Sequence, residues 1–349
     1  QAEDGIRDRS PSRGLGDVYK RQIMKAAWYE KIGAADEVLQ LGEMADPNPK
    51  AGEVLVEIKT SGVNPSDVKI RAGARGDLQF PQIIPHSDGG GVISAVGEGV
   101  DESRIGERVW IWNGAFGRAF GTCAEMIALP SDQAVSLPDE TSFEAAACLG
   151  IPASTAFYGM LCDGSVENQT VLVTGGAGAV GYYGIQLAKW SGASVISTVS
   201  GDEKASIAES AGADLVINYR DDDVVAAIHD FTDGKGVDRI LEVEFGGNLS
   251  VSEEVIKPNG TIAAYGSVAV MEPSLPFYNL MFKGVKLNTY LIYIVSDRDR
   301  NLIVNGLNRA MNDQALNHMI SESYSLDEIV DAHLSMESNQ VIGNIVVKI

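Results

Sequence analysis

The hydrophobic pattern is clearest at Val171-Leu172-Val173-Thr174, a run suited to a buried strand, which leads into Gly175-Gly176-Ala177-Gly178-Ala179-Val180-Gly181. A helical spacing of Val180, Gly184, Leu187 and Ala188 follows at once. Beyond it the pattern predicts a second strand over Ser194–Ser200, a helix over Glu203–Ala211 and a third strand over Leu215–Asn218, which completes a βαβαβ unit. The alternation continues with a helix around Asp222–Asp230, a strand over Val237–Val243 and a helix near Ser250–Lys257. A Pro258-Asn259-Gly260 turn then precedes a strand over Thr261–Tyr265, and Lys286–Ile294 reads as a last strand. Such alternation predicts an α/β fold with a parallel sheet. Further helices are expected near Arg300–Met311 and from Ser325, where Ser325-x-x-Glu328 makes a capping box, and Ile345–Ile349 reads as a closing strand.

Upstream the rhythm is different. From Met24 to about Ala147 the segments are short, β-leaning and punctuated by Gly and Pro, as in a small barrel-like β domain. Val54–Thr60, Gly89–Val96, Arg108–Trp112 and Thr122–Leu129 are its candidate strands, and a short helix starts near Pro65. Thr141-Ser142-Phe143-Glu144 has the polar start and acidic first turn of a helix leading into the second domain, so the boundary is expected near Ala147. Residues 1–23 show no periodicity and mix Arg7, Arg9, Arg13, Lys20 and Arg21 with Glu3, Asp4, Asp8 and Asp17. They read as a disordered arm of adapter origin, set apart from the fold, with a basic targeting arm as the alternative.

Composition narrows the functional classes. Twenty-seven Lys and Arg against 48 Asp and Glu give a net charge of -21, which disfavours nucleic acid and anionic membrane surfaces as partners. Cys123, Cys148 and Cys162 are odd in number and form no C-x-x-C pair, as expected of buried apolar residues in a reducing, cytoplasmic setting. No apolar run approaches the roughly 18 residues of a membrane span. A serine hydrolase is excluded by the lack of a G-x-S-x-G elbow.

The glycine turn carries the candidate chemistry. Gly176, Gly178 and Gly181 stand in G-x-G-x-x-G spacing between a strand and a helix, where free N–H groups and the helix dipole can hold a pyrophosphate. The loop Gly176, Ala177, Gly178, Ala179, Val180, Gly181 is therefore assigned to a dinucleotide. Gly266 and Ser267 lie past the end of the Thr261–Tyr265 strand and are expected to face the nicotinamide. The tip of the second strand is Ser200 rather than the carboxylate that binds a ribose 2′-hydroxyl, and Ser200, Lys204 and Tyr219 could hold a 2′-phosphate. NADPH is thus favoured over NADH.

As an ordered set, several short motifs are more specific than any one alone. They are Gly62-Val63-Asn64-Pro65-Ser66-Asp67, Pro85-x-x-Asp88-x-x-Gly91-Val92, Gly106-Glu107-Arg108-Val109, Gly121-Thr122-x-Ala124-Glu125 and the glycine loop. Together they resemble the medium-chain dehydrogenase/reductase superfamily, most closely its zeta-crystallin-like quinone oxidoreductases. The resemblance implies a GroES-like β-rich catalytic domain over 24–147, completed by 296–349, and a Rossmann-type NADP-binding domain over 148–295, with the active site between them. It also implies that Asn64, Asp67 and Thr155 lie by the nicotinamide and substrate, and that chains pair as dimers or tetramers through the edge strand Lys286–Ile294.

The zinc-ligand positions of the superfamily fall on Asn64, Ser87 and near Ile151, so no metal is expected. His86 is one residue out of step and is either a substrate contact or a hydrogen-bonded turn histidine. His229, His318 and His333 are placed in helices without a role. Without a metal or strong acid, a quinone or similar conjugated carbonyl is a better hydride acceptor than a simple ketone. An enone or enoyl-thioester reductase is the alternative, weakened because Arg75 stands where related enoyl reductases have a Tyr proton donor. Lys69 departs from a frequent family Tyr, and Gly343-Asn344 from a Gly-Lys pair, so neither is given a contact. A nucleotide-binding or RNA-contacting relative without activity is the reading from another class. Loops Asn113–Phe120 and Pro273–Met281 are expected to shape the acceptor pocket.

Overall fold

The computed structural model describes residues 23–349, so the assignment of residues 1–22 to an arm lies outside the described residues. Ile23 opens strand β1 (Ile23–Trp28), which pairs antiparallel with β2 (Gln40–Ala45) across a short helix α1 (Ala35–Val38). The long strand β3 (Glu53–Val63) leads into α2 (Pro65–Arg71), with proline in the first helical turn, where its missing N–H costs nothing. Strands β4 (Asp88–Val96), β5 (Arg108–Ile111), β6 (Met126–Pro130) and β7 (Ala134–Ser136) follow. Helix α3 (Phe143–Ala146) begins at Ser142, whose hydroxyl accepts from Ala145 N–H. A π-helical turn at Leu149–Ala153 passes into α4 (Ser154–Leu161).

The second sheet then builds up by strict alternation: β8 (Thr170–Thr174), α5 (Ala179–Trp190), β9 (Ser194–Val199), α6 (Asp202–Ser210), β10 (Leu215–Asn218), α7 (Val224–Phe231), β11 (Val237–Glu242), α8 (Phe245–Val255), β12 (Ile256–Ala264), α9 (Phe277–Lys283) and β13 (Lys286–Thr289). The chain closes through α10 (Asp297–Asn312), β14 (Ile320–Ser325), α11 (Ile329–Glu337) and β15 (Asn344–Lys348).

The second sheet has the order β10-β9-β8-β11-β12-β13 with every neighbour parallel, which is the Rossmann arrangement. Val171, Leu172 and Val173 are fully buried because helices cover both faces of the sheet. The first sheet runs β14-β15-β3-β4-β5-β7, with β6 also paired to β3. Val63 and Ser61 of β3 stand opposite Ile345 and Val347 of β15, so the C-terminal strand is built into the N-terminal sheet. A buried cluster of Trp110, Leu137, Tyr183, Leu187, Leu307 and Val346 joins the two sheets through α5 and α10 and fixes the cleft between them. No described helix is long and apolar enough to cross a membrane.

Several element boundaries differ from the sequence pattern. Strand β13 stops at Thr289, and the Ile292–Ile294 stretch is a 3-10 turn rather than strand. Helix α8 starts five residues early, at Phe245, since the Glu244 carboxylate caps it by accepting from Gly247 N–H. The Pro258–Gly260 turn interrupts β12 as a register break rather than preceding a new strand. Elements α1, β2, β7, α4, α9 and β14 have no counterpart in the pattern, and His318 lies in coil between α10 and β14, not in a helix.

Candidate active site

A cavity of about 520 Å³ runs between the two sheets, past the carboxyl ends of the parallel strands. Gly175, Ala177, Gly178, Ala179 and Val180 line one stretch of it, Ser200, Lys204 and Tyr219 a second, and Asn64, Thr155 and Gly266 a third. The structure therefore brings most of the sequence-derived site residues around one space.

The glycine loop is built to take an anion. No side chain caps α5, whose N-cap is Gly178, so the N–H groups of its first turn face the cleft without a protein acceptor. Gly176 and Gly181 do not line the cavity. A Cβ on Gly176 would stand 1.9 Å from Ser197 Oγ, and one on Gly181 would stand 2.3 Å from Gly175 O. These two glycines allow close strand–helix packing, while Gly178 supplies the open surface. The residues present thus fit a pyrophosphate. At the far end, Lys204 Nζ donates to Ser200 Oγ at 3.1 Å and Tyr219 stands half-exposed, and no carboxylate lines this part of the cavity.

Ser267 departs from expectation. Its hydroxyl accepts from Gly246 N–H at 2.9 Å and donates to Val270 O at 2.6 Å, so it pins a loop while Gly266 and Val268 face the cleft. The Pro273–Met281 segment likewise lines neither cavity: α9 carries it onto the surface, whereas Ala115–Arg118 of the other expected loop do form a pocket wall.

Asn64 is held from two sides. Its side-chain Nδ2 donates to Asp88 Oδ2 at 2.8 Å and its backbone N–H to Asp67 Oδ2 at 2.8 Å. Asp67 turns away from the cleft into a smaller pocket of about 120 Å³, walled by Tyr29, Leu78, Phe80, Ile83 and Phe116. Burial pushes the Asp67 carboxyl up to about 7, against the pull of the Asn64 hydrogen bonds and the Arg75 charge. Burial also raises Asp88 well above the ordinary carboxylate range. Thr155 sits in the first turn of α4, and its carbonyl accepts from Tyr290 OH at 2.8 Å. Arg75 and Tyr293 line both cavities and form their shared wall.

His86 is a hydrogen-bonded turn histidine that also lines the smaller pocket. Its backbone is left-handed at φ 76°, its side chain is fully buried, and both ring nitrogens are engaged. Arg71 Nε donates to His333 Nδ1 at 3.3 Å, which leaves the His333 Nε2 proton for His86 Nε2 at 2.9 Å. His86 Nδ1 then donates to Ser61 Oγ at 2.9 Å, Ser61 to Thr122 Oγ1 at 2.8 Å, and Thr122 to Asp88 O at 2.5 Å. Arginine can only donate, so it sets the direction of the whole series. Burial holds His86 down to about 3 and His333 well below the usual imidazole value, so both rings are neutral. His318, bonded to Tyr183 OH at 2.8 Å, is pushed down to about 4.

Zinc does not fit this donor set. His86 has no lone pair free, the Asn64 amide is bound to Asp88, and Ile151 has no donor. Among the described residues no group of three or more His, Cys, Asp or Glu side chains is placed to hold a metal ion.

Ser66, Tyr290 and Tyr293 are among the cavity residues that were not found from sequence. Reading 286–294 as a continuous strand puts Tyr290 and Tyr293 on opposite faces. The 3-10 turn after Thr289 brings both to the cleft. Ser66 did lie within the quoted Gly62–Asp67 motif.

The family models for an alcohol dehydrogenase GroES-like domain and a zinc-binding dehydrogenase match residues 50–139 and 179–302. The chain is 33% identical to a quinone oxidoreductase of Salmonella typhimurium over 67% of this chain and 70% of that one. It is 28% identical to a quinone oxidoreductase of Sus scrofa over 90% of this chain and 94% of that one. The solved quinone oxidoreductase of Escherichia coli complexed with NADPH superposes with a TM-score of 0.81 at 26% identity, covering 93% of this chain and 100% of that one. With its GroES-like and Rossmann domains and the glycine-loop cleft between them, the chain belongs to the medium-chain dehydrogenase/reductase superfamily, in its zeta-crystallin-like quinone oxidoreductase branch, as an oxidoreductase that uses a nicotinamide dinucleotide and a small-molecule substrate.

Proposed function

We propose that the protein reduces a quinone or a similar conjugated carbonyl with NADPH and without zinc. The observation that carries this reading is the single cleft with the Ser200–Lys204 pair and Tyr219 at one end and Asn64 and Thr155 at the other. The bound nicotinamide supplies a hydride. The first-turn N–H groups of α5 hold the pyrophosphate, and Lys204 pairs with the 2′-phosphate, a charge that NADH lacks. Asn64, fixed by Asp67 and Asp88, and Thr155 orient the nicotinamide against the acceptor, so most of the rate comes from positioning. A conjugated acceptor spreads the developing negative charge and needs no Lewis acid, in keeping with a donor set that does not suit zinc.

A second copy of the chain is the proposed partner, docked along the β13 edge. The segment around that edge exposes large apolar side chains, among them Met271, Tyr278, Phe282 and Ile294, with Phe282 80% exposed. A patch of this kind marks an interaction surface.

The test is turnover of chelator-treated protein with NADPH or NADH and a simple quinone. NADPH-selective reduction after chelation is the expected result, and Lys204→Ala should raise the KM for NADPH about tenfold or more while leaving NADH nearly unchanged. Activity that returns only with added zinc, or equal use of both nicotinamides, would overturn the corresponding part of the proposal.

A further inference from the structure

Hydride transfer to a conjugated carbonyl leaves an electron pair on the acceptor oxygen, and something must meet it. Where the cofactor cleft joins the aromatic pocket, Arg75 and Tyr293 alone among the described residues face both spaces. Tyr293 OH lies 2.8 Å from Ser66 Oγ, and Ser66 also lines the cofactor cleft. Two hydroxyls carry two protons, and the one bond between them uses a single proton. Whichever hydroxyl donates, the pair keeps a second O–H. The Arg75 guanidinium stands 6.0 Å from the centre of the Tyr293 ring, and among the described residues it forms no ion pair.

We infer that the Tyr293–Ser66 hydroxyl pair is the proton donor to the acceptor, with Tyr293 as a catalytic residue and Ser66 as the group that relays its replacement proton. The inference rests on the proposed reduction of a conjugated carbonyl. Hydride adds to the acceptor and the carbonyl π pair moves onto oxygen. The hydroxyl pair then delivers one proton to that oxygen, and solvent in the aromatic pocket returns one proton to the pair. The sum is acceptor plus hydride plus proton, with the protein unchanged. Arg75 keeps all its protons and adds positive charge beside the oxyanion. This arrangement places a tyrosine at the hydride crossing even though position 75 holds arginine, so it extends the acceptor range towards enones, which localise charge more than quinones do.

The test compares wild type with Tyr293→Phe, which keeps the ring and its contact with Arg75, and with Ser66→Ala. Tyr293→Phe should lower kcat for quinone by about tenfold and for an enone by about a hundredfold, with KM and melting temperature little changed. A reading independent of turnover uses 4-nitrophenol as a mimic of the product anion, bound to the full chain saturated with NADP+. Its phenolate absorbance should appear at lower pH with wild type than with Tyr293→Phe. Retention of kcat within about twofold, or identical phenolate titrations, would overturn the inference. If wild type itself reduces no quinone or enone, the proposed function fails instead, while the phenolate titration still decides whether Tyr293 serves an oxyanion.

Discussion

Asp67 shows how one buried side chain sets a pH dependence. Its carboxyl sits at about 7 because burial disfavours the charged form more than the Asn64 hydrogen bonds favour it. The folded chain therefore binds this proton more tightly than the unfolded chain does. Its stabilising contribution is complete below about pH 4 and is lost as pH rises through about 7. Asp67→Asn keeps an acceptor for Asn64 N–H and removes the titration. In urea unfolding, wild-type stability relative to the variant should fall by up to about 1.4 kcal/mol per pH unit between pH 4 and 7. A difference that stays flat across this range would show that Asp67 is not protonated in the fold.

At the scale of elements, the series from Arg71 to Asp88 ties α2, α11, β3 and the loop before β4 into one buried polar core. His333→Ala would strand both Arg71 Nε and His86 Nε2 and should cost about 2–4 kcal/mol, measured by denaturant unfolding. His86→Gly loses the same bridge but relieves the left-handed backbone, so it should be less damaging than His86→Ala by about 1 kcal/mol. Beyond the reading of His86 as a hydrogen-bonded turn histidine, this series was not legible in the sequence, because the two partners of the His86 ring, Ser61 and His333, are 25 and 247 residues away. What could be read was local: the strand, glycine turn and helix at Val171–Trp190, the proline-led α2, and the alternation that makes the parallel sheet. Missed elements were those without a local signal. Strand β14 alternates weakly exposed polar residues, and the 3-10 turn that delivers Tyr293 is an Ile-Tyr-Ile run of strand-favouring residues that reads as a continuation of β13. The site divides in the same way. Residues on the glycine loop and at the tip of β9 were found by spacing, whereas Ser267 looked equivalent to Gly266 until its hydroxyl proved to be engaged inside its own loop.

For the whole molecule, the apolar segment around β13 gives a prediction about assembly. On the proposed pairing along β13, replacing Tyr278 and Phe282 together by Asp should yield a monomer in sedimentation, with the cofactor cleft unaffected because neither residue lines it. An unchanged sedimentation coefficient would rule this edge out as the contact between copies. The insertion of β15 beside β3 has a different consequence, for the order of folding. The sequence from Thr170 to Thr289 contains every strand of its parallel sheet and can close as soon as it has been synthesised. The other sheet cannot. Its central strand β3 leaves the ribosome early and must wait for Ile345–Lys348, almost the whole length of the chain later, to cover the edge at Thr60–Val63. Until then that open edge, with its unpaired backbone groups, is a template for pairing with a neighbouring nascent chain, so slow translation through the second half should favour aggregation and chaperone dependence.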